Sequence, residues 1–306
     1  MSTDDKVHVI FGIDTETDVG SFTPFYEGVK NGTPKLLELF DKKGIKATFY
    51  FTGDAARENP KSLELVKNSN CEVGCHSLYH ETVGDELFPI PGVKPLLPQE
   101  VYFRLKTATE WVAEVLGHKP ISFRAPRLWG STAVVNALEE LGYTSDASYP
   151  MYFYRERFVP YHPHKDDWTK EGNMKILEIP NFADMLMESK DKPLERDRDQ
   201  WPLFRTESAD ALMEHINNFL KFVRDRDLPA VLCFYFHPWE FIEVKESYHY
   251  GEGTVIPDRF ITKGCGEKAL KELSNLIDKL MDLGAEFYRA DEFTEYWNRR
   301  YKTEDK

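Results

Sequence analysis

The sequence predicts one α/β domain built on a parallel sheet, with seven or eight βα units that at this length fit a barrel, complete or not. Three observations carry that reading. Short apolar, β-rich runs alternate with amphipathic helical patterns along all 306 residues. One of those runs, AVLCFYFHPW from Ala230, is almost continuously apolar, as a strand buried on both faces is. Ionisable residues sit repeatedly where such runs end. No internal repeat, low-complexity run or interdomain linker interrupts the pattern, so residues 1–306 read as a single domain.

The elements follow in order. VHVIFGID from Val7 is the first strand. A helix from about Thr33 to Lys43 has Pro34 in its first turn and Gly44 just past its end. KATFYFTG from Lys46 is the second strand, NPKSLELVKNS from Asn59 is helical, and EVGCHS from Glu72 is the third strand. A long helix runs from about Pro98 to Leu116 and stops at Gly117. ISFRAP from Ile121 is strand-like, and the helix after it has Ser131 as N-cap and Gly142 at its C-terminal end. YTSDAS from Tyr143 is a short fifth strand, and Tyr152 to Glu171 is aromatic, basic and irregular. KILEIPNF from Lys175 is the sixth strand, and Glu188 to Gln200 is a charge-mixed loop expected to be exposed and mobile. A helix from about Ser208 to Arg226 leads to the apolar seventh strand. A last helix from about Glu267 to Leu283 precedes AEFYRADEF, which closes the chain.

Composition narrows the function classes. Lysine plus arginine number 39 and aspartate plus glutamate 52, so the net charge is 39 − 52 = −13. A protein that binds nucleic acid or an anionic membrane usually shows the opposite sign, and no basic stripe is present. The longest uncharged stretch, Leu228 to Trp239, is too short to span a bilayer. The N-terminal residues MSTDDKVHVIFGID do not read as a secretory signal, and a cytoplasmic location is the expectation. The four cysteines, Cys71, Cys75, Cys233 and Cys265, read as reduced thiols used as small hydrophobes. A homo-oligomer is compatible with all of this.

The chemistry-bearing residues collect at one place in this architecture. Asp14 and Glu16 end strand one, and His76 ends strand three with His80 following it. Arg124, Asp146, Asn181 and His237 end strands four to seven. In parallel sheets and barrels the C-terminal strand ends share one face, where sites are built. HxxxH alone is a weak signal. On a helical turn, four-residue spacing would put both rings on one face. Two imidazoles and a carboxylate then make a divalent-metal site with positions left for water and substrate. Each residue also has a plain structural use: a polar turn for DTET, an ion pair for Arg124, a packed ring for His237. Their coincidence at one rim favours a metal-dependent hydrolase.

The ordered motifs FGIDTE, EVGCHSLYH, FRAPR, YTSDAS and FYFHPWE resemble those of the polysaccharide deacetylases, the NodB homology domain of family 4 carbohydrate esterases, in an Asp-x-acid variant. The resemblance spans roughly residues 7 to 293. It implies a distorted (β/α) barrel of seven or eight strands and metal-dependent removal of acetyl or formyl groups from N-acylated sugars or glycan precursors. It implies Asp14 as general base, with Arg124 positioning it, and His237 as general acid. Glu16, His76 and His80 would hold one divalent ion, zinc before cobalt or nickel, and the peptide N–H of Arg127 would help bind the oxyanion. Asp146, Asn181 and Trp239 are expected to contact substrate, although Trp239 fits the core equally well.

Three departures from the family pattern matter. The metal carboxylate is usually Asp and is here Glu16, with Asp18 a weaker substitute. Arg127 stands where the third motif usually has Tyr, which adds a cation to the pocket. Phe234 and Phe236 flank a position that leucines usually fill, which would shrink or reshape the acyl pocket. His162 and His164 either crown the site or lie on a surface loop. Two other readings stay open: a metal-independent cyclic-amide hydrolase of the allantoinase-like branch, and a catalytically degenerate carbohydrate-binding protein.

Overall fold

The computed structural model describes residues 6–301. Eight parallel strands form one curled sheet: β1 (Val7–Thr15), β2 (Thr48–Phe51), β3 (Glu72–Cys75), β4 (Ser122–Phe123), β5 (Ser145–Asp146), β6 (Leu177–Glu178), β7 (Ala230–Phe236) and β8 (Glu286–Tyr288). The spatial order is β8-β1-β2-β3-β4-β5-β6, with β7 also paired to β1. One flank of β1 is shared. His8 to Ile10 face Glu286 to Tyr288 of β8, and Gly12 to Thr15 face Thr48 to Phe51 of β2. The other flank pairs with β7 from Val7–Ala230 to Ile13–Phe236. Between β6 and β7 the curl is bridged just past β6, where Phe182 N–H donates to Cys233 O at 2.8 Å. This is the distorted (β/α) barrel that the strand pattern and motifs predict.

Helices α1 (Thr33–Lys43), α2 (Pro60–Lys67), α3 (Pro98–Leu116), α4 (Thr132–Leu141), α5 (Ala209–Arg224) and α6 (Glu267–Asp282) cover the outside. Their ends fall where the sequence puts them. Ser131 Oγ accepts from Val134 N–H at 3.2 Å at the start of α4, and Gly142 ends it with φ 78°. Side chains alternate along each strand, so Val9, Phe11 and Ile13 pack against the helices while Ile10 points into the barrel.

Three segments differ from expectation. AEFYRADEF is not the last element but a strand followed by α7 (Ala290–Tyr301). Phe293 and Trp297 of α7 fill the barrel interior against Ile10, Leu177, Ile179 and Val231. The aromatic stretch from Tyr152 contains an antiparallel hairpin, Pro163–His164 with Asp167–Glu171. A second hairpin joins Tyr248–Tyr250 to Gly253–Val255. No helix among the described residues is long and apolar enough to cross a membrane.

Candidate active site

Period-two alternation places Gly12, Asp14 and Glu16 on the inward side of β1 and its continuation. Arg124, just past β4, lies fully buried across this row. A Cβ at position 12 would overlap the Arg124 guanidinium, so glycine is what lets the arginine in. Arg124 Nη1 donates to Asp14 Oδ1 at 3.0 Å, Nε to Ala147 O at 3.0 Å and Nη2 to Phe234 O at 3.2 Å. Burial works against the guanidinium charge, but Asp14 outweighs it and holds the group above its ordinary pKa. Asp14 is thereby fixed in orientation beside a permanent cation.

Next to this pair, ligand atoms of Glu16, His76 and His80 all lie within 4.8 Å of one another, and all three residues are buried. His80 Nε2 is 2.5 Å and His76 Nε2 is 3.5 Å from Glu16 Oε2. Asp14 Oδ2 is 4.0 Å from His76 Nε2. The two rings do not meet on a helical turn. The chain from His76 to His80 is irregular, with positive φ at Ser77 and His80. It is pinned by Gly53 N–H donating to Ser77 O and by Glu81 accepting from Tyr79 N–H at 2.6 Å. His76 Nδ1 donates to Arg124 O at 2.7 Å, which leaves the Nε2 lone pair facing the cluster, the arrangement metal-ligating histidines use.

This donor set fits a divalent ion. Among the described residues, both Glu16 oxygens and His80 Nδ1 are buried without an ordinary hydrogen bond. Burial pushes the Glu16 carboxyl up, but His80, His76 and His237 outweigh it and hold it well below the usual carboxylate range. Burial lowers His80 to about 4 against the pull of Glu16. A deprotonated carboxylate and a neutral imidazole are the forms that bind metal. Glu16, His76 and His80 are therefore the residues that would hold one.

His237 follows β7 in a tight turn, Pro238–Phe241. Gly28 and Gly32 allow this turn to seat, because a Cβ at either would overlap the backbone of Trp239 or Pro238. His237 Nδ1 lies 2.9 Å from Glu240 Oε1, which also accepts from His237 N–H at 2.9 Å and Trp201 Nε1 at 2.9 Å. Arg205 Nε donates to the other Glu240 oxygen. Burial opposes the Glu240 charge, but Arg205 and His237 bring its carboxyl down to about 2. Burial also opposes a charged His237, yet Glu240, Glu16 and Asp14 raise it above its ordinary value. Trp239 stacks on the His237 ring at 5.1 Å and 26°.

These groups open into a cavity of about 680 Å³ lined by Asp14, Glu16, His80, Arg127, His237 and Trp239, with Tyr152, Tyr235, Trp201 and Phe260 as further aromatic lining. Arg127 has φ 61°, its peptide N–H has no acceptor among the described residues, and its Nη1 donates to His80 O at 3.2 Å.

Several expectations need correction. Asp146 and Asn181 do not line the cavity. Asp146 lies beneath it, bonded to Ser148 and facing Glu178, and Asn181 Nδ2 donates to Ala147 O at 2.7 Å. Asp18 is no substitute ligand: its carboxylate accepts from Glu27 and Gly28 N–H at 2.9 and 2.8 Å. Phe234 and Phe236 point outward against Phe11 and the helices, and Tyr235 between them lines the cavity. The segment from Glu188 to Gln200 is not an idle surface loop, since Asp191, Arg196, Asp197 and Asp199 line the cavity. His162 and His164 lie away from it; His162 bonds Ile176 O and Asn298 Oδ1. Glu240, Arg205, Trp201, Tyr235 and Asp199 are members of the site that the sequence reading did not name.

A family model described as polysaccharide deacetylase matches residues 18–145. That stretch holds His76, His80, Arg124 and Arg127, while Asp14, Glu16 and His237 lie outside it. The peptidoglycan-N-acetylmuramic acid deacetylase PdaA of Bacillus subtilis is 25% identical over 124 residues, which cover 40% of this chain and 43% of that protein. The chain spans a little under half the length of the curated relatives it matches. Among solved structures, a Mycobacterium smegmatis protein assigned to the polysaccharide deacetylases is 16% identical, with a TM-score of 0.61 over 100% of this chain and 95% of that one. Puue allantoinase is 13% identical, with a TM-score of 0.63 over 98% of this chain and 92% of that one. These two likenesses establish the fold. The matched stretch, the ordered motifs and that fold together make the chain similar to the polysaccharide deacetylases.

Proposed function

We propose that the protein is a metal-dependent hydrolase that removes an acetyl or formyl group from the nitrogen of an amino sugar or glycan precursor. The observation that carries this reading is the convergence of Glu16, His76 and His80 between two oriented acid–base groups, Asp14 with Arg124 and His237 with Glu240. A divalent ion held there, zinc before cobalt or nickel, supplies Lewis acidity toward the acyl carbonyl. Asp14 keeps one oxygen on Arg124 and turns the other inward, where it takes a proton from the attacking water. His237, whose protonated form Glu240 favours, gives a proton to the departing amine. The peptide N–H of Arg127, with no acceptor among the described residues, would meet the developing oxyanion.

The test is metal analysis of the purified protein together with release of acetate or formate from N-acylated sugars. We expect about one divalent ion per chain, and loss of both ion and activity in His76→Ala. Full metal retention and full activity in that variant would sink the assignment. Activity that survives exhaustive chelation would favour the cyclic-amide reading instead. Saturable sugar binding without turnover under any metal would favour a binding protein.

A further inference from the structure

Arg127 stands apart from the other arginines. Among the described residues, each other arginine that is not exposed pairs with a carboxylate: Arg104 with Glu81, Arg124 with Asp14, Arg157 with Glu171, Arg198 with Glu195, Arg205 with Glu240 and Arg289 with Asp291. Arg127 has only neutral partners, His80 O and Thr82 Oγ1, both reached by Nη1. The rest of its donor fork is left to the cavity that it lines. The carboxylate that acts on its charge, Glu16, is already engaged by His76 and His80. Arginine does not shed its proton, so a cation stands in the cavity wall with no counter-ion of its own. Holding such a charge away from water is costly unless an anion joins it.

A second cation, Arg196, lines the same cavity, lying over the Phe88 ring at 4.0 Å. Arg196 is exposed, its side chain meets the Tyr152 hydroxyl and its charge acts on Asp199, and among the described residues it forms no close ion pair. The acids of that wall are bound by protein donors. Asp197 accepts from Ser189 Oγ and Lys190 N–H at 2.5 and 2.7 Å, and Asp199 from Tyr235 Oη at 2.6 Å and Trp201 N–H at 3.2 Å. Asp197 and Asp199 are thus held in place by donors of the protein, and Arg127 engages only Nη1.

We propose that this cavity selects N-acyl substrates that carry an acidic group near the scissile amide, gripped by Arg127 with Arg196 as a second cation; the proposal rests on the hydrolase reading above. The shared chemistry is an oxyanion of the carboxylate or phosphate kind, which a guanidinium grips with two parallel N–H donors.

The test compares three sugars that share one acetamido group. N-acetylglucosamine is neutral, N-acetylmuramic acid adds a carboxylate, and N-acetylglucosamine 1-phosphate adds a phosphate. Each is titrated calorimetrically into the metal-stripped full chain, and acetate release from each is measured with the metal-loaded protein. The expected result is that at least one acidic sugar binds about tenfold or more tightly than the neutral one, an advantage that shrinks as salt is raised. The carboxylate and phosphate arms tell the two sources apart. Arg127→Gln should erase most of the advantage, and Arg127→Lys should restore part of it. No preference for either acidic sugar in the wild type overturns the proposal and leaves the hydrolase reading standing. So does a preference that persists undiminished in the Arg127→Gln/Arg196→Gln double variant. An acidic preference in binding with no acetate released from any sugar supports the anion site and strikes the hydrolase reading alone.

Discussion

His237 and Glu240 are three residues apart in one tight turn, and a single carboxylate oxygen, Glu240 Oε1, faces both the backbone N–H and Nδ1 of His237 at 2.9 Å. That geometry fixes the ring and aims Nε2 away from the turn. It also sets the charge, because Glu240 is the largest influence favouring the protonated ring against burial. A general acid must be protonated to act, so activity falls as pH rises through its pKa, and a raised pKa moves that fall to higher pH. Glu240→Gln removes the negative charge. The alkaline limb of the kcat/KM profile should therefore shift to lower pH, with activity at neutral pH down by about 10²–10⁴, the usual size of an acid–base contribution. Metal content should not change. An unshifted limb would show that Glu240 does not govern His237. The residues aimed at the cavity on irregular chain, Glu16, His80 and Arg127, were legible because motif spacing survives irregular backbone. Glu240 was not singled out, because an acid three residues after a histidine has no meaning until the turn brings it back.

At the level of elements, helix ends and strand positions were readable to within a few residues, since capping residues and apolar runs act locally. What a strand end points at was not. Period-two alternation decides that, and register in a tilted sheet shifts it. Phe234 and Phe236 therefore face the helices while Tyr235 faces the cavity, and Asp146 and Asn181 end below it. The stretch from Glu188 to Gln200 misled for another reason: its charges suggested solvent, yet Asp199 folds onto Tyr235 and Arg196 onto Phe88. Helix α7 was missed because its buried face is narrow, with only Ala290, Phe293, Thr294 and Trp297 buried. The alternation that places Asp14 and Glu16 also makes position 12 a test of β1. Gly12→Ala would drive a methyl group into the Arg124 guanidinium. Overpacking of this kind should cost about 1–3 kcal/mol in urea unfolding and, by displacing Arg124 from Asp14, lower kcat more than KM. Wild-type kinetics in a stably folded Gly12→Ala would show that the Arg124–Asp14 contact does not matter.

The barrel as a whole carries a second acid pair below the site, and it ties global stability to pH. Among the described residues Asp146 Oδ2 and Glu178 Oε2 are buried with no other hydrogen-bond partner, while Glu178 Oε1 accepts from Ser148 and Tyr149 N–H at 3.0 and 2.8 Å. Ser148 Oγ donates to Asp146 and accepts from Ala125 N–H at 2.8 Å, next to Arg124, so the pair supports the floor of the site. Burial, the dominant cause, raises Asp146 to about 6, and burial together with the Asp146 charge raises Glu178 well above the usual carboxylate range. The sign follows from proton linkage. The folded chain keeps protons that the unfolded chain has lost, so folding takes up protons from the ordinary carboxylate range through pH 6 and beyond. Stability from this pair is full below that range and falls as pH rises. Glu178→Gln keeps the oxygen that Ser148 and Tyr149 need and offers an N–H to Asp146. In urea unfolding, the wild type should lose roughly 1–3 kcal/mol more than Glu178→Gln between about pH 5 and about pH 8, with the variant the more stable at the upper end. Parallel pH profiles for the two proteins would show that the pair does not hold a proton in the folded barrel. A steeper profile for the variant would mean that the carboxylate form of Glu178 is the one the fold prefers.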